Sequence, residues 1–186
     1  MAVVKLAKNG YGQLEINNGA FRRDGRIEAQ CTLTSASSFV GENGMLVCVN
    51  KVTNTMAPAT AALAANQPVA ILYSAEHLYE EGKQGLKNFA LTAADVRPRA
   101  GYLSVGDKYH TNTVVYDNET YTTMSAIISA VQSSDGLFAG IDGDGTGYWK
   151  LAAAASVPSV GPMARVCEVG TMPDGQVGLK IQVVRA

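Results

Sequence analysis

Ala164-Arg165-Val166-Cys167-Glu168-Val169 and Gln176-Val177-Gly178-Leu179-Lys180-Ile181-Gln182-Val183-Val184 flank the four residues Met172-Pro173-Asp174-Gly175. Both flanking runs are rich in β-branched residues, which suit a pleated and half-buried surface. The central four carry turn chemistry. Proline presets its own φ, aspartate can bond backbone amides ahead of it, and glycine accepts a left-handed conformation. Residues 163–186 are therefore predicted to be a C-terminal β-hairpin.

Short apolar runs between turn residues continue toward the N-terminus. Leu137-Phe138-Ala139-Gly140-Ile141 and Gly147-Tyr148-Trp149-Lys150-Leu151 read as strands around a glycine-rich turn, and 152–162, with Pro158 and Pro162, reads as a linker-like crossing segment. Tyr109 to Tyr116, turned back by Asp117-Asn118-Glu119 into Thr120 to Thr123, is predicted to be a hairpin. Met45 to Val49 and Val69 to Tyr73 are continuous apolar runs, as strands buried on both faces require. Arg26 to Leu33 alternates polar and apolar residues at period two, which predicts one strand with a wet face. Further extended segments are expected at Leu86 to Leu91 and Arg99 to Val105. Helical signals are short: Ala57 to Ala65, a segment from Ala75 to Glu81 capped by Ser74 and stopped by Gly82, and Thr123 to Val131. The sum predicts a mostly β chain, a small β-barrel or β-sandwich with one or two short helices, spanning 26–186 as a single domain.

Residues 1–25 differ. Asn9-Gly10, Gly12, Asn17-Asn18-Gly19 and Asp24-Gly25 interrupt every apolar stretch, so this segment reads either as short edge strands or as an extended N-terminal arm. The arm is the favoured expectation, and it implies that residues 1 to about 25 pack on a different subunit.

Charge and chemistry narrow the function. Net charge is −1 and only 17% of the 186 residues are charged, against about 25% in ordinary soluble domains. Such a chain lacks the basic footprint of a nucleic-acid or anionic-membrane binder. A surface built of Ser, Thr, Asn and Gly costs little to desolvate against a neighbour. Cys31, Cys48 and Cys167 are odd in number and widely spaced, so they are expected to be reduced, with production in a reducing cytoplasm; the opening Met1 to Gln13 has no apolar run of signal-peptide length. Asn118-Glu119-Thr120 is then a turn and not a glycan acceptor.

No catalytic, cofactor-binding or metal-ligating residue is assigned. His77 and His110 have no partner at ligand spacing, and His110 with Asp107 or Asp117 is the one nearby acid–base pairing. Asp142 and Asp144 match positions one and three of a calcium loop, with Gly147 at position six. The match fails at Thr146 and at Ala153, where a bidentate Glu belongs, so a glycine-permitted turn is the expected reading. Gly41-Glu42-Asn43-Gly44 lacks the strand-to-helix setting of a phosphate cradle and reads as a turn.

Three stretches together carry a resemblance: Tyr73-Ser74-Ala75-Glu76-His77-Leu78-Tyr79 through Asn88-Phe89, Arg99-Ala100-Gly101-Tyr102-Leu103-Ser104-Val105-Gly106-Asp107-Lys108-Tyr109-His110-Thr111-Asn112, and Met172 to Val183. The sequence resembles the capsid decoration, or cement, proteins of tailed bacteriophages. The resemblance implies a β-rich outer-capsid protein of the virion, assembled in the bacterial host cytoplasm. It would bind the major capsid protein and copies of itself in a trimer-like oligomer, with no active site, cofactor, nucleic acid or membrane. Two alternatives stay open. One is a tail-tube or head-completion subunit. The other is a host-glycan-binding β module presenting Tyr102, Tyr109, Tyr116, Tyr121 and Trp149.

Overall fold

The computed structural model describes residues 3–34, 40–74, 90–91 and 97–186. In chain order the strands are β1 (Val3–Lys5), β2 (Leu14–Asn18), β3 (Ile27–Glu28), β4 (Thr32–Leu33), β5 (Leu46–Asn50), β6 (Thr55–Pro58), β7 (Val69–Leu72), β8 (Ala100–Tyr102), β9 (Lys108–Thr111), β10 (Val114–Asp117), β11 (Phe138–Ile141), β12 (Trp149–Ala152), β13 (Met163–Thr171) and β14 (Val177–Arg185). Three short helices join them among the described residues: α1 (Ala20–Asp24), α2 (Ala61–Ala64) and α3 (Met124–Gln132). The chain is thus mostly β, with one helix more than expected. The helix expected from Ala75 to Glu81, and most of the segment from Leu86 to Leu91, lie outside the described residues.

The strands form two mixed sheets. The larger runs β1-β10-β12-β11-β13-β14-β9-β2 and the smaller β3-β8-β7-β5-β6-β4. Both are strongly curled, and chain connectivity shows why. β3 and β4 are opposite edges of the six-stranded sheet, yet only residues 29–31 separate them. Four residue steps span at most about 14 Å, whereas six strands laid flat would set the edges about 24 Å apart. The sheet must therefore roll until its edges approach. The larger sheet shows the same constraint, because β9 and β10 stand five strand spacings apart and are joined through Asn112 and Thr113 alone. Among the described residues no ladder joins the two edges of either sheet, and no closed barrel forms there.

The cores follow from this rolling. Leu33, Val47, Val49, Met56, Ala70, Leu72 and Ala100, from five strands of the smaller sheet, form one cluster inside its curl. The alternate residues Leu46, Cys48 and Ile71 join a larger cluster with Tyr109, Trp149, Leu151, Leu179 and Ile181 of the eight-stranded sheet. β5 is thus buried on both faces, which is why its sequence is a continuous apolar run.

Several expectations are corrected. The Tyr109 to Thr123 hairpin does not form. The chain leaves β9 at Thr111 and re-enters the sheet on its other flank as β10, and Thr123 caps α3 by accepting from the Ala126 N–H. Arg26 to Leu33 is not one strand but two, one on each edge of the smaller sheet. Only the end of the Ala57 to Ala65 segment is helical, since Thr55–Pro58 pairs with β5. Residues 3–24 are no extended arm. β1 pairs with β10, β2 pairs with β9, and the buried Phe21 of α1 joins the larger core. The segment can bury itself because its partners come from the middle and end of the chain, which the local turn density does not reveal. The C-terminal hairpin forms as read, with β13 and β14 antiparallel around Met172 to Gly175.

Candidate functional site

Four carboxylates are buried among the described residues, namely Glu28, Glu42, Asp107 and Asp142. A buried charge is tolerable only when paired and hydrogen-bonded, and each of the four receives several donors. Glu42 follows the isolated bridge between Gly41 and Leu91 and precedes Gly44, whose φ of +92° turns the chain into β5. Its carboxylate accepts from Lys5 Nζ at 2.6 Å, from Tyr148 Oη at 2.6 Å and from the Gly12 N–H. Three chain-distant segments therefore meet on one side chain. Burial, then the adjacent Glu42 carboxylate, pushes the Tyr148 phenol far above its ordinary range.

Beside it, the crossing from β9 to β10 is fastened by neutral groups. Thr111 Oγ1 donates to the Gln13 carbonyl at 2.6 Å, the Gln13 N–H donates to Asn112 Oδ1 at 2.7 Å, and Thr113 Oγ1 donates to the Asn43 carbonyl. Farther out, the Gln13 side-chain amide donates to Asp174 at the tip of the β13–β14 hairpin, and Gln176 Oε1 accepts the Lys8 and Asn9 N–H groups at 2.8 and 2.9 Å.

The other carboxylates repeat the arrangement. Asp107 accepts from the Ala20 N–H at 2.8 Å, the Ser104 N–H at 2.9 Å and Tyr109 Oη at 2.8 Å, and so anchors α1 to the β8–β9 turn. Burial and the Asp107 carboxylate raise the Tyr109 phenol well above its ordinary value. Glu28 accepts from Lys51 Nζ, from the Gln30 N–H at 2.8 Å and from Tyr102 Oη at 3.3 Å.

Asp142 decides the reading of the calcium-like loop. It accepts from Thr146 Oγ1 at 2.7 Å and faces Lys150 Nζ at 3.5 Å, while Asp144 contributes its N–H. The loop's positive charge is supplied by lysine, and the segment is a side-chain-braced turn. Among the described residues no three His, Cys, Asp or Glu side chains converge as a metal site.

The remaining sequence candidates separate in space. On β9 the even-numbered His110 faces away from the buried Asp107, Tyr109 and Thr111, so the Asp107–His110 pairing is not made. His110 Nε2 is buried beside Gly170 and Gly178, without a hydrogen-bond partner among the described residues. Asp117 instead binds the Glu119 N–H and Thr120 Oγ1. His77 lies outside the described residues. The aromatic platform of the glycan-binding alternative is not a surface: Tyr109, Tyr116, Tyr121 and Trp149 are buried, and Tyr102 is half-buried against Glu28. Cys31 and Cys48 are buried free thiols and Cys167 is exposed.

A cavity of about 520 Å³ lies beside β12. Asp117, Thr120 and Tyr121, Lys150 to Ala153 and Ser156 to Pro158 line it, and it opens to solvent. Sequence reading missed it because its walls come from separate segments and its room comes from small residues, neither of which leaves a spacing signature.

No protein-family model matches the chain, nor does any curated protein or solved structure.

Proposed function

We propose that this chain is a virion structural protein that decorates and stabilises a bacteriophage capsid by binding the outer surface of the major capsid lattice. The observation that carries the reading is the use made of buried charge. Glu28, Glu42, Asp107 and Asp142 each take several donors from the chain, and three of them join segments more than twenty residues apart in sequence. Such bracing fixes loops in place before a partner arrives, which lowers the ordering cost of association. The exterior suits the same task. It is poor in charge, and the turns after β5 and β8 present Val52 and Val105 at 93% and 69% exposure. A repeated lattice turns many such weak contacts into firm attachment.

The test is sedimentation of purified chain with empty expanded phage heads. Saturable pelleting, together with heads that resist heating better when loaded, supports the proposal. Failure to pellet overturns it, and density along the tail in electron micrographs would transfer the chain to the tail-tube reading.

A further inference from the structure

We propose that the cavity beside β12 is a binding site for a neutral pyranoside, one or two sugar rings in size. This inference does not rest on the capsid reading. At about 520 Å³ the cavity falls within the range of small-ligand pockets, about 300–1,000 Å³, and far exceeds the room a single water needs. The space exists because Gly143, Ala152 and Ala153 stand where larger side chains would fill it.

Its chemistry selects the ligand. Ile141, Leu151 and Val157 supply buried apolar wall. Polar groups of both kinds stand among them: Lys150, Asp117, and the hydroxyls of Thr120 and Ser156. Lys150 directs one contact to Asp142, leaving two of its three N–H donors. Asp117 uses two of its roughly four lone-pair sites on the Glu119 N–H and Thr120. A purely apolar ligand would desolvate these groups without compensation. An anion would meet the Asp117 carboxylate, while Lys150, the one cation in the lining, already faces the buried Asp142. A pyranose has an apolar C–H face and a rim of hydroxyls that both donate and accept, and so matches wall and rim together.

The far wall is held in advance. Arg185 donates to the Gly161 carbonyl at 2.8 Å and to the Pro158 carbonyl, and Val157 packs onto Gly140, where an added Cβ would lie 2.5 Å from Val157 Cγ1. A preformed wall reduces the cost of binding.

The experiment is an NMR titration of the full chain with methyl α-glucopyranoside, methyl α-galactopyranoside, methyl α-mannopyranoside and N-acetylglucosamine, with sodium hexanoate as the anionic comparison. At least one glycoside is expected to shift the amides of Thr120, Ala152, Ala153 and Ser156 saturably, and hexanoate to leave them unmoved. Ala153→Trp, which fills the cavity from an exposed position, should weaken the binding about tenfold or more. Ser156→Tyr provides a second block should the first variant fold poorly. No shift with any glycoside, undiminished binding in the folded blocked variant, or hexanoate shifting the same amides more strongly than the glycosides would each overturn the proposal.

Discussion

The ring of Phe21 lies directly on the backbone of Gly101, so that a Cβ at position 101 would sit 2.5 Å from three ring atoms. α1 reaches the smaller sheet only because β8 offers bare backbone there. Gly101→Ala is expected to destabilise the fold by about 1–3 kcal/mol through overpacking. Pairing it with Phe21→Leu should recover part of the loss, and a double-mutant cycle from urea denaturation would show the coupling.

Glu42 gathers Lys5, the Gly12 N–H and Tyr148 on one buried carboxylate. Glu42→Ala strands a cation and a phenol at once and is expected to cost about 3 kcal/mol. Glu42→Gln keeps a carbonyl acceptor and should cost less. Urea midpoints at unchanged slope would establish both values.

Tyr109 and Tyr148 are raised above the ordinary phenol value of 10.0 by burial and by a carboxylate partner. The unfolded chain loses these protons near pH 10 while the native chain keeps them, so the unfolded state binds fewer protons there and stability falls as pH rises. The contribution is complete below about pH 10 and erodes above it. Tyrosinate absorbance should therefore rise in two stages, the second coinciding with loss of the β circular-dichroism signal. A single early rise of all eight tyrosines would contradict the hydrogen bonds to Asp107 and Glu42.

Of the three cysteines, Cys167 is exposed, while burial raises the thiols of Cys31 and Cys48. Ellman's reagent is expected to label one thiol per native chain quickly and the other two only after denaturation. Rapid labelling of two or three would show that the cores open more readily than their packing implies.

Sequence reading succeeded where neighbours in the chain are neighbours in space. The Met172-Pro173-Asp174-Gly175 turn dictates β13 and β14, and the glycine-rich stretch between Ile141 and Trp149 correctly joins β11 to β12. It failed where the chain changes flank. Asn112 and Thr113 look like the middle of a strand, yet they carry the chain from β9 to β10, and their hydrogen bonds go to Gln13 and Asn43, far away in sequence. Whether the aromatic residues lie inside or outside stayed open for a related reason. Period two shows that Tyr109 and Thr111 share a face, but not which face the second sheet covers. Nor did any spacing announce Glu42, because its three donors come from positions 5, 12 and 148.

The three-residue tether between β3 and β4 has a mechanical consequence. With its two rims tied so closely, the smaller sheet cannot unroll by bending; it has to tear along a ladder. Partial opening gains little freedom for each bond it breaks, so damage at one margin is expected to spread to the other and the roll to be lost as a unit. Both rims are also strands of only two residues, which leaves stray chains little template and protects a molecule whose −1 net charge offers little mutual repulsion.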